Sequence, residues 1–380
     1  MSALKILAPT PEHIEQAAFA LKSGALVGMP TETVYGLAGN ALDEAAVVRI
    51  FKSKDRPQFD PLIVHVPKNS SFAEMEQAGW VRWSSLSAPM RSACEELAKR
   101  FWPGPLTLVV PKGARVPDLV TSGLETVGIR MPAHPVAQAL IAAAGFPLAA
   151  PSANRFGRIS PTQAEAVEQE LGDHVEWILD GGPCEVGVES TVLLAGPDER
   201  FTLLRPGKIT VDELREVLAE KLATSDPLRV AAPQEMTSHA PGRQERHYAP
   251  AKPCFLLPET VSKLKPDHLE RMRLITQEIA QPAGGEFANS PGKVGLLIFR
   301  GRADTAARAF TQALGLETEC VSLSKMGNEV EAASRLFREL RRLDQSSVDA
   351  IFCEPPPSAE GLWHAISDRI ARATRPVMEP

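Results

Sequence analysis

The sequence predicts an α/β chain of two domains joined by a proline-rich segment. Three observations carry this. The length of 380 residues corresponds, at about 150 residues per domain, to two domains or a little more. Short apolar runs alternate with stretches of helical periodicity in both halves of the chain. The alternation stops over residues 222–252, where Pro227, Pro233, Pro241 and Pro250 fall with little periodicity between them. The expected divisions are a first domain over 1–212, a linker over 213–252 and a second domain over 253–380.

In the first domain, Glu12 to Lys22 carries Ile14, Ala17, Ala18 and Leu21 on one helical stripe, with Pro11 before it and Gly24 after it. Asp43 is placed to cap a second helix that runs into Phe51. Strand-like runs follow at Ala25–Met29, Leu62–Val66, Leu106–Val110, Val127–Met131, Leu148–Ala150 and Thr191–Leu194. In the second domain, Val294–Phe299, Val321–Leu323 and Val348–Cys353 read as strands. Helical stretches follow them near Asp304–Leu314, from Asn328 to about Leu343, and over Gly361–Ala373. Strand–helix order of this kind implies parallel strands in a Rossmann-like open sheet. No G-x-G-x-x-G follows a strand, so no dinucleotide site is expected there.

The composition is that of a globular protein, with 44% apolar and 23% charged residues. A net charge of −6 leaves any nucleotide or RNA contact to a local basic patch. Cys94, Cys184, Cys254, Cys320 and Cys353 form no C-x-x-C pair. That argues against a disulfide framework or a structural zinc site and suits a reducing cytosol. The N-terminus has no basic and apolar leader pattern, and no run approaches the roughly 20 apolar residues of a membrane helix. The expectation is a cytoplasmic protein with no membrane contact and no metal site of its own.

Five polar constellations stand at strand ends, where open α/β sheets place ligands. The first is Pro30-Thr31-Glu32-Thr33-Val34-Tyr35-Gly36-Leu37. The second sets Lys52, Lys54 and Arg56 at a helix C-terminus, followed by Asp60 and by His65 at the close of a strand. It reads either as a polyphosphate clamp or as a solvated helix end. In the third, Thr126-Val127-Gly128-Ile129-Arg130, a cation interrupts an apolar strand. A buried cation needs an anion, which is either an internal carboxylate or a substrate carboxylate. The fourth is Ala150-Pro151-Ser152-Ala153-Asn154 with Ser160-Pro161-Thr162, and the fifth is Glu189-Ser190-Thr191 with Arg205-Pro206-Gly207. Within the linker, Arg246, His247 and Tyr248 stand in a row, which a plain spacer does not need.

With these strings in order, the sequence resembles the threonylcarbamoyl-AMP synthase family. Lys54-Asp55-Arg56 and Ser152-Ala153-Asn154 stand as its K-x-R and S-x-N signature, and the C-terminal half is similar to the family's two-domain branch. The resemblance implies a YrdC-like twisted mixed sheet with a concave, positively charged cavity, followed by a smaller Rossmann-like domain. It implies a nucleotidyltransferase that joins L-threonine, bicarbonate and ATP, with Mg2+ accompanying ATP. The product would pass to a tRNA threonylcarbamoyl-transfer system, and direct contact with tRNA stays open. It further implies threonine contacts at Thr33, His65, Arg130, Ala150, Ser190 and Thr191. ATP contacts are implied at Arg56, Asp60, Thr126, Ser152, Asn154, Ser160, Arg205 and Tyr248, with Lys54 and Arg56 as the catalytic cations and residues 240–250 as a lid. Asp60 stands where the family usually has Asn, Phe156 where Ser is usual, Gln244 and Glu245 inside the linker string, and Trp363-His364 in place of a glycine. The competing reading is an RNA-binding factor that uses the basic cavity without catalysis.

Overall fold

The computed structural model describes residues 5–222, 226–231, 247–280 and 292–378. The chain divides into two compact units, one of residues 1–156 with 160–243, the other of residues 157–159 with 244–380.

Among the described residues, the first unit holds eleven strands: β1 (Ile6–Leu7), β2 (Val27–Met29), β3 (Gly36–Asn40), β4 (Ile63–His65), β5 (Leu106–Pro111), β6 (Thr126–Arg130), β7 (Leu148–Ala149), β8 (Trp177–Leu179), β9 (Thr191–Ala195), β10 (Phe201–Arg205) and β11 (Leu228–Val230). Seven helices accompany them: α1 (Pro11–Lys22), α2 (Glu44–Ser53), α3 (Phe72–Gln77), α4 (Ala88–Phe101), α5 (Pro135–Ala144), α6 (Ala164–Leu171) and α7 (Val211–Ala219). The sheet order is β1-β8-β2-β3-β7-β4-β6-β5-β9-β10-β11, with parallel and antiparallel neighbours mixed. The twisted mixed α/β sheet expected from the resemblance is therefore present.

Local chemistry sets the helix starts. The Thr10 hydroxyl accepts from the His13 amide ahead of Pro11, and Asp43 accepts from Ala45 N–H at 3.0 Å. Ala17, Ala18 and Leu21 are fully buried, as the stripe required. Thr210 and Glu213 form a capping box that starts α7. This corrects the expected boundary, because α7 begins before residue 213 and β11 pairs with β10. Both belong to the first unit. The proline-rich reading passed over β11, because Pro227 stands just before the strand rather than inside it. Strand β3 also went unread, since Gly36-Leu37-Ala38-Gly39-Asn40 lacks β-branched residues. Glycine is needed at 39 because a Cβ there would come within 3.0 Å of Leu26 and 3.1 Å of Ile50.

Alternation along the central strands positions the site. Leu62, Val64, Leu106, Leu108, Val110, Val127 and Ile129 face one large core with Ile50, Phe51 and Leu97 of the helices. The intervening residues Ile63, His65, Thr107, Val109, Thr126, Gly128 and Arg130 therefore occupy the opposite face.

The second unit carries β12 (Cys254–Leu256), β13 (Lys293–Ile298), β14 (Glu317–Ser322), β15 (Ala350–Cys353) and β16 (Arg375–Pro376). Its helices are α8 (Pro266–Ala280), α9 (Ala303–Leu314), α10 (Glu329–Gln345) and α11 (Gly361–Ala373). All five strands are parallel, in the order β14-β13-β15-β12-β16. The Rossmann-like reading holds, with β12, β16 and α8 beyond what periodicity revealed. Trp363 packs edge-on against Phe299 with ring centres 5.8 Å apart, so this departure from the family pattern fills the core of the unit.

The linker string divides. Residues 240–246, with Arg246, Gln244 and Glu245, lie outside the described residues. Tyr248 is buried in the second unit, stacked on Phe337 of α10 at 5.4 Å, with the Arg369 guanidinium 5.5 Å above its ring. His247 N–H donates to Arg372 O at 3.3 Å and Ala249 N–H to Gly157 O at 2.8 Å. The ring expected over a nucleotide is thus packed between an aromatic and a cation of its own unit, which is how a large amphipathic ring in this position is satisfied.

Candidate active site

Three polar side chains form one row across the open face of the first sheet. His65 on β4 and Thr107 on β5 both pair in register with Arg130 on β6. One step along, Gly128 stands between Ile63 and Val109. A Cβ at 128 would sit 3.3 Å from the Thr107 methyl, so glycine keeps the floor low beside the polar row. Ile63, Thr107, Val109, Thr126 and Gly128 line a shallow cavity together with Val192.

Arg130 has the internal anion that its burial requires. Its Nη2 donates to Glu32 Oε1 at 2.6 Å, and the Ala133 N–H donates to the other carboxylate oxygen at 3.0 Å. The Arg130 Nε is buried and has no partner. His65 is 3% exposed, and its Nδ1 is buried without a partner. Burial, with the Arg130 cation second, pushes its pKa down to about 3, so the ring is neutral at pH 7. Beside this row, the Thr31 hydroxyl donates to Val34 O at 2.6 Å and lies 2.9 Å from the Thr33 hydroxyl, a turn that fixes the fully buried Thr33. Tyr35 donates to Gly182 O at 2.8 Å and serves the scaffold.

The other side of the row is a hydroxyl relay. Thr107 Oγ1 lies 2.8 Å from Ser190 Oγ, which accepts from Arg205 Nη2 at 3.1 Å. Arg205 Nε donates to Ser190 O at 3.1 Å. Ser160 donates to the buried Glu189 carboxylate at 2.5 Å. The Thr191 hydroxyl is held differently from expectation. It donates to Ile209 O at 2.9 Å and accepts from Ile209 N–H at 3.1 Å, which closes the turn after β10.

Lys54 and Arg56 do not form a solvated helix end. Lys54 is 1% exposed, and its ammonium donates to the carbonyls of Ser152 and Asn154. Burial, with Arg56 second, holds its pKa well below the ordinary lysine range, while Asp60 and Glu170 oppose the shift. Asp55 adopts φ 51° directly after the helix, and the Arg56 N–H then returns to Phe51 O at 3.0 Å. This turn directs Arg56 inward, where it donates to Asp60 O and Pro61 O and forms an ion pair with Asp60 at 2.9 Å. Asn154 Nδ2 donates to Arg155 O at 2.7 Å. Ala150 is buried against Gly36, and Thr126 is half-buried at the start of β6. Among the described residues of this unit, four buried cations (Lys54, Arg56, Arg130, Arg205) meet three buried carboxylates (Glu32, Asp60, Glu189), and the arrangement suits an anionic ligand.

The family model described as "Telomere recombination" matches residues 19–207, and that described as "Threonylcarbamoyl-AMP synthase, C-terminal domain" matches residues 209–374. A threonylcarbamoyl-AMP synthase of Pyrococcus abyssi is 38% identical over 379 residues, covering 98% of this chain and 98% of its own. The chain belongs to the threonylcarbamoyl-AMP synthase family. A Bacillus subtilis threonylcarbamoyl-AMP synthase is 36% identical, covering 97% of this chain and 94% of its own. The crystal structure of the P. abyssi protein complexed with L-threonine matches with a TM-score of 0.76 at 36% identity, covering 97% of this chain and 98% of that chain.

Within the frame of the synthase family, the structure brings thirteen of the fourteen substrate-contact candidates from the sequence into the first unit, and it places the fourteenth, Tyr248, in the core of the second. Glu32, Thr107 and Glu189 went unassigned in the sequence. Glu32 and Glu189 sat inside quoted strings, and Glu32 could have been found by asking which carboxylate neutralises the buried Arg130. Thr107 gave no signal beyond being the one polar residue of an apolar strand. The Asp60 departure is explained by its ion pair with Arg56, and Phe156 contributes its N–H to Lys54 O at 2.8 Å.

Two measurements check this geometry. Asp60→Ala leaves Arg56 without its carboxylate and should lower stability by about 3 kcal/mol or more. Asp60→Asn, which keeps an acceptor, should cost much less. Urea unfolding at pH 7 separates the two. For His65, the folded pKa of about 3 lies below the ordinary 6.5. The unfolded chain therefore binds more protons in that interval, and the contribution is full above pH 6.5 and lost as pH falls. Between pH 7 and pH 5 it should cost about 2 kcal/mol. His65→Asn should show a correspondingly flatter loss over the same two pH values.

Proposed function

We propose that this chain makes threonylcarbamoyl-AMP from L-threonine, bicarbonate and ATP, with release of pyrophosphate. The observation that carries the reading is the buried, partnerless Arg130 Nε beside the neutral His65, a donor reserved for a small carboxylate in a site built of hydroxyls and cations. The family membership of the whole chain and the L-threonine complex of its P. abyssi relative support it.

The chemistry asks for positioning and charge neutralisation. The threonine amine takes up bicarbonate or carbon dioxide, and the resulting carboxylate attacks the α-phosphorus of ATP as pyrophosphate departs. A displacement of this kind needs no protein nucleophile. Arg130 holds the amino-acid carboxylate, His65 stays neutral beside it, and Thr33 frames the side chain. Arg205, anchored through Ser190, and Arg56 lie on the nucleotide side with Thr126 and Ser160. Lys54 acts by fixing the Ser152–Asn154 loop through its carbonyls, so that the loop's own polar groups face the phosphates. Mg2+ arrives with the phosphates of ATP. No group of three or more metal-ligating side chains stands among the described residues, and Glu32, Asp60 and Glu189 are engaged by Arg130, Arg56 and Ser160.

Threonylcarbamoyl-AMP is a mixed anhydride that hydrolyses in water, so its use by a tRNA threonylcarbamoyl-transfer system would follow promptly. A cytoplasmic setting suits this role and the five free cysteines, and no helix of the described residues is long and apolar enough to cross a membrane. The buried cations favour a small enclosed anion over the RNA track of the competing reading, which needs exposed charge.

Pyrophosphate release from ATP and bicarbonate should depend on L-threonine, and threonine-independent release would overturn the assignment. Arg130→Ala should raise the KM for threonine on the order of 30-fold or more, the cost of truncating a buried charge partner, with the KM for ATP nearly unchanged.

A further inference from the structure

Glu32 is the one buried carboxylate that touches Arg130. Its backbone and both its oxygens are fixed. Val186 N–H donates to Glu32 O at 2.8 Å, Ala133 N–H to Oε2 at 3.0 Å, and Arg130 Nη2 to Oε1 at 2.6 Å. Ala133 follows Met131-Pro132 directly after β6, so the strand that carries the arginine also supplies the amide that aims the carboxylate. The guanidinium is therefore held at one nitrogen by an anion whose own orientation is set from two further sides.

An ion pair kept only for stability would gain from closing the remaining donor as well, since a buried donor without a partner is costly. Here the Nε stays buried and without a partner, His65 Nδ1 beside it is also partnerless, and the His65 ring brings no charge. Nη2 and Nε lie on the same edge of the planar fork, so by fixing Nη2 Glu32 sets where the unengaged Nε points.

We propose that Glu32 is the positioning residue of the amino-acid subsite. It holds Arg130 by Nη2 so that the neighbouring Nε on the same edge is kept for the α-carboxylate of the substrate, and it neutralises the cation whenever that carboxylate is absent. This rests on the assignment of Arg130 to the substrate carboxylate. It adds a specificity determinant: selection for a carboxylate-bearing amine depends on a residue that does not itself touch the carboxylate.

The test compares binding of L-threonine with that of L-threoninol, which lacks the carboxylate, and of ATP, by calorimetry on the full chain. The wild type should prefer threonine to threoninol by about tenfold or more, as loss of a buried charge partner implies. Glu32→Gln, which keeps shape and acceptor but not charge, should lose most of that preference while ATP affinity stays within about twofold. Adding Glu32→Gln to Arg130→Ala should change threonine affinity by less than about twofold, because residues that act through one contact are not additive. Additive losses, or equal losses for all three ligands, would show a merely structural role and overturn the proposal. If Arg130→Ala abolishes the preference and Glu32→Gln keeps it, Glu32 is wrong and the subsite stands. If Arg130→Ala keeps it, the subsite itself is wrong. Should Glu32→Gln fail to fold, Glu32→Asp takes its place. It keeps the charge but withdraws it by one methylene, and an unchanged preference for threonine in that variant also overturns the proposal.

Discussion

Most of the site depends on one constraint: a cation sits in the middle of a β-sheet, on a strand whose other face is hydrophobic core. An arginine in that place cannot remain without an anion. The loop between β2 and β3 brings Glu32 to it, and the turn after β6 brings the Ala133 amide to Glu32. These contacts join two segments about a hundred residues apart in sequence, and they explain why the Pro30–Leu37 string follows its strand with a carboxylate flanked by two threonines. The Thr31 turn holds Thr33 in place beside the ion pair.

Arg130 also organises its neighbours along the row. His65 is next to a cation and out of water, and both effects favour the neutral ring. Thr107, on the opposite side, hands the polar character of the row to Ser190 and through it to Arg205. The row therefore runs from a neutral imidazole through one paired guanidinium to a second guanidinium, with hydroxyls between them.

The sequence was informative where local chemistry decides the outcome. The capped helices α1 and α2, the apolar strands β4, β5, β6 and β9, and the parallel second unit could all be read from period, caps and order. Strand β3 could not, because its glycines are there for close packing against Leu26 and Ile50, which no local propensity reports. The site was legible as a set of polar residues at strand ends, but their roles were not. Lys54 read either as part of a phosphate clamp or as a cation at a solvated helix end. Its actual acceptors, the carbonyls of Ser152 and Asn154, lie about a hundred residues away, and only the fold brings them together. Tyr248 read as part of a lid because a plain spacer has no use for Arg246, His247 and Tyr248 in a row; its neighbours Phe337 and Arg369 come from helices about ninety and one hundred and twenty residues further on, which no local pattern reports.

The Asp60 substitution shows how the same fold tolerates a change of charge at such a site. Where an asparagine would accept a hydrogen bond from Arg56 and leave the guanidinium charge uncompensated, the aspartate neutralises it at 2.9 Å with both partners almost fully buried. Such a pair contributes little net stability compared with apolar neighbours, but it is expensive to break. The local cost of the aspartate is a weaker positive field from Arg56 toward an incoming phosphate. Among the described residues of the first unit three buried arginines stand with three buried carboxylates, and Lys54 beside them is held well below the ordinary lysine range; Arg205 is bound to a serine hydroxyl and backbone as well. The charge that a polyphosphate meets is therefore set by the sum over the cavity.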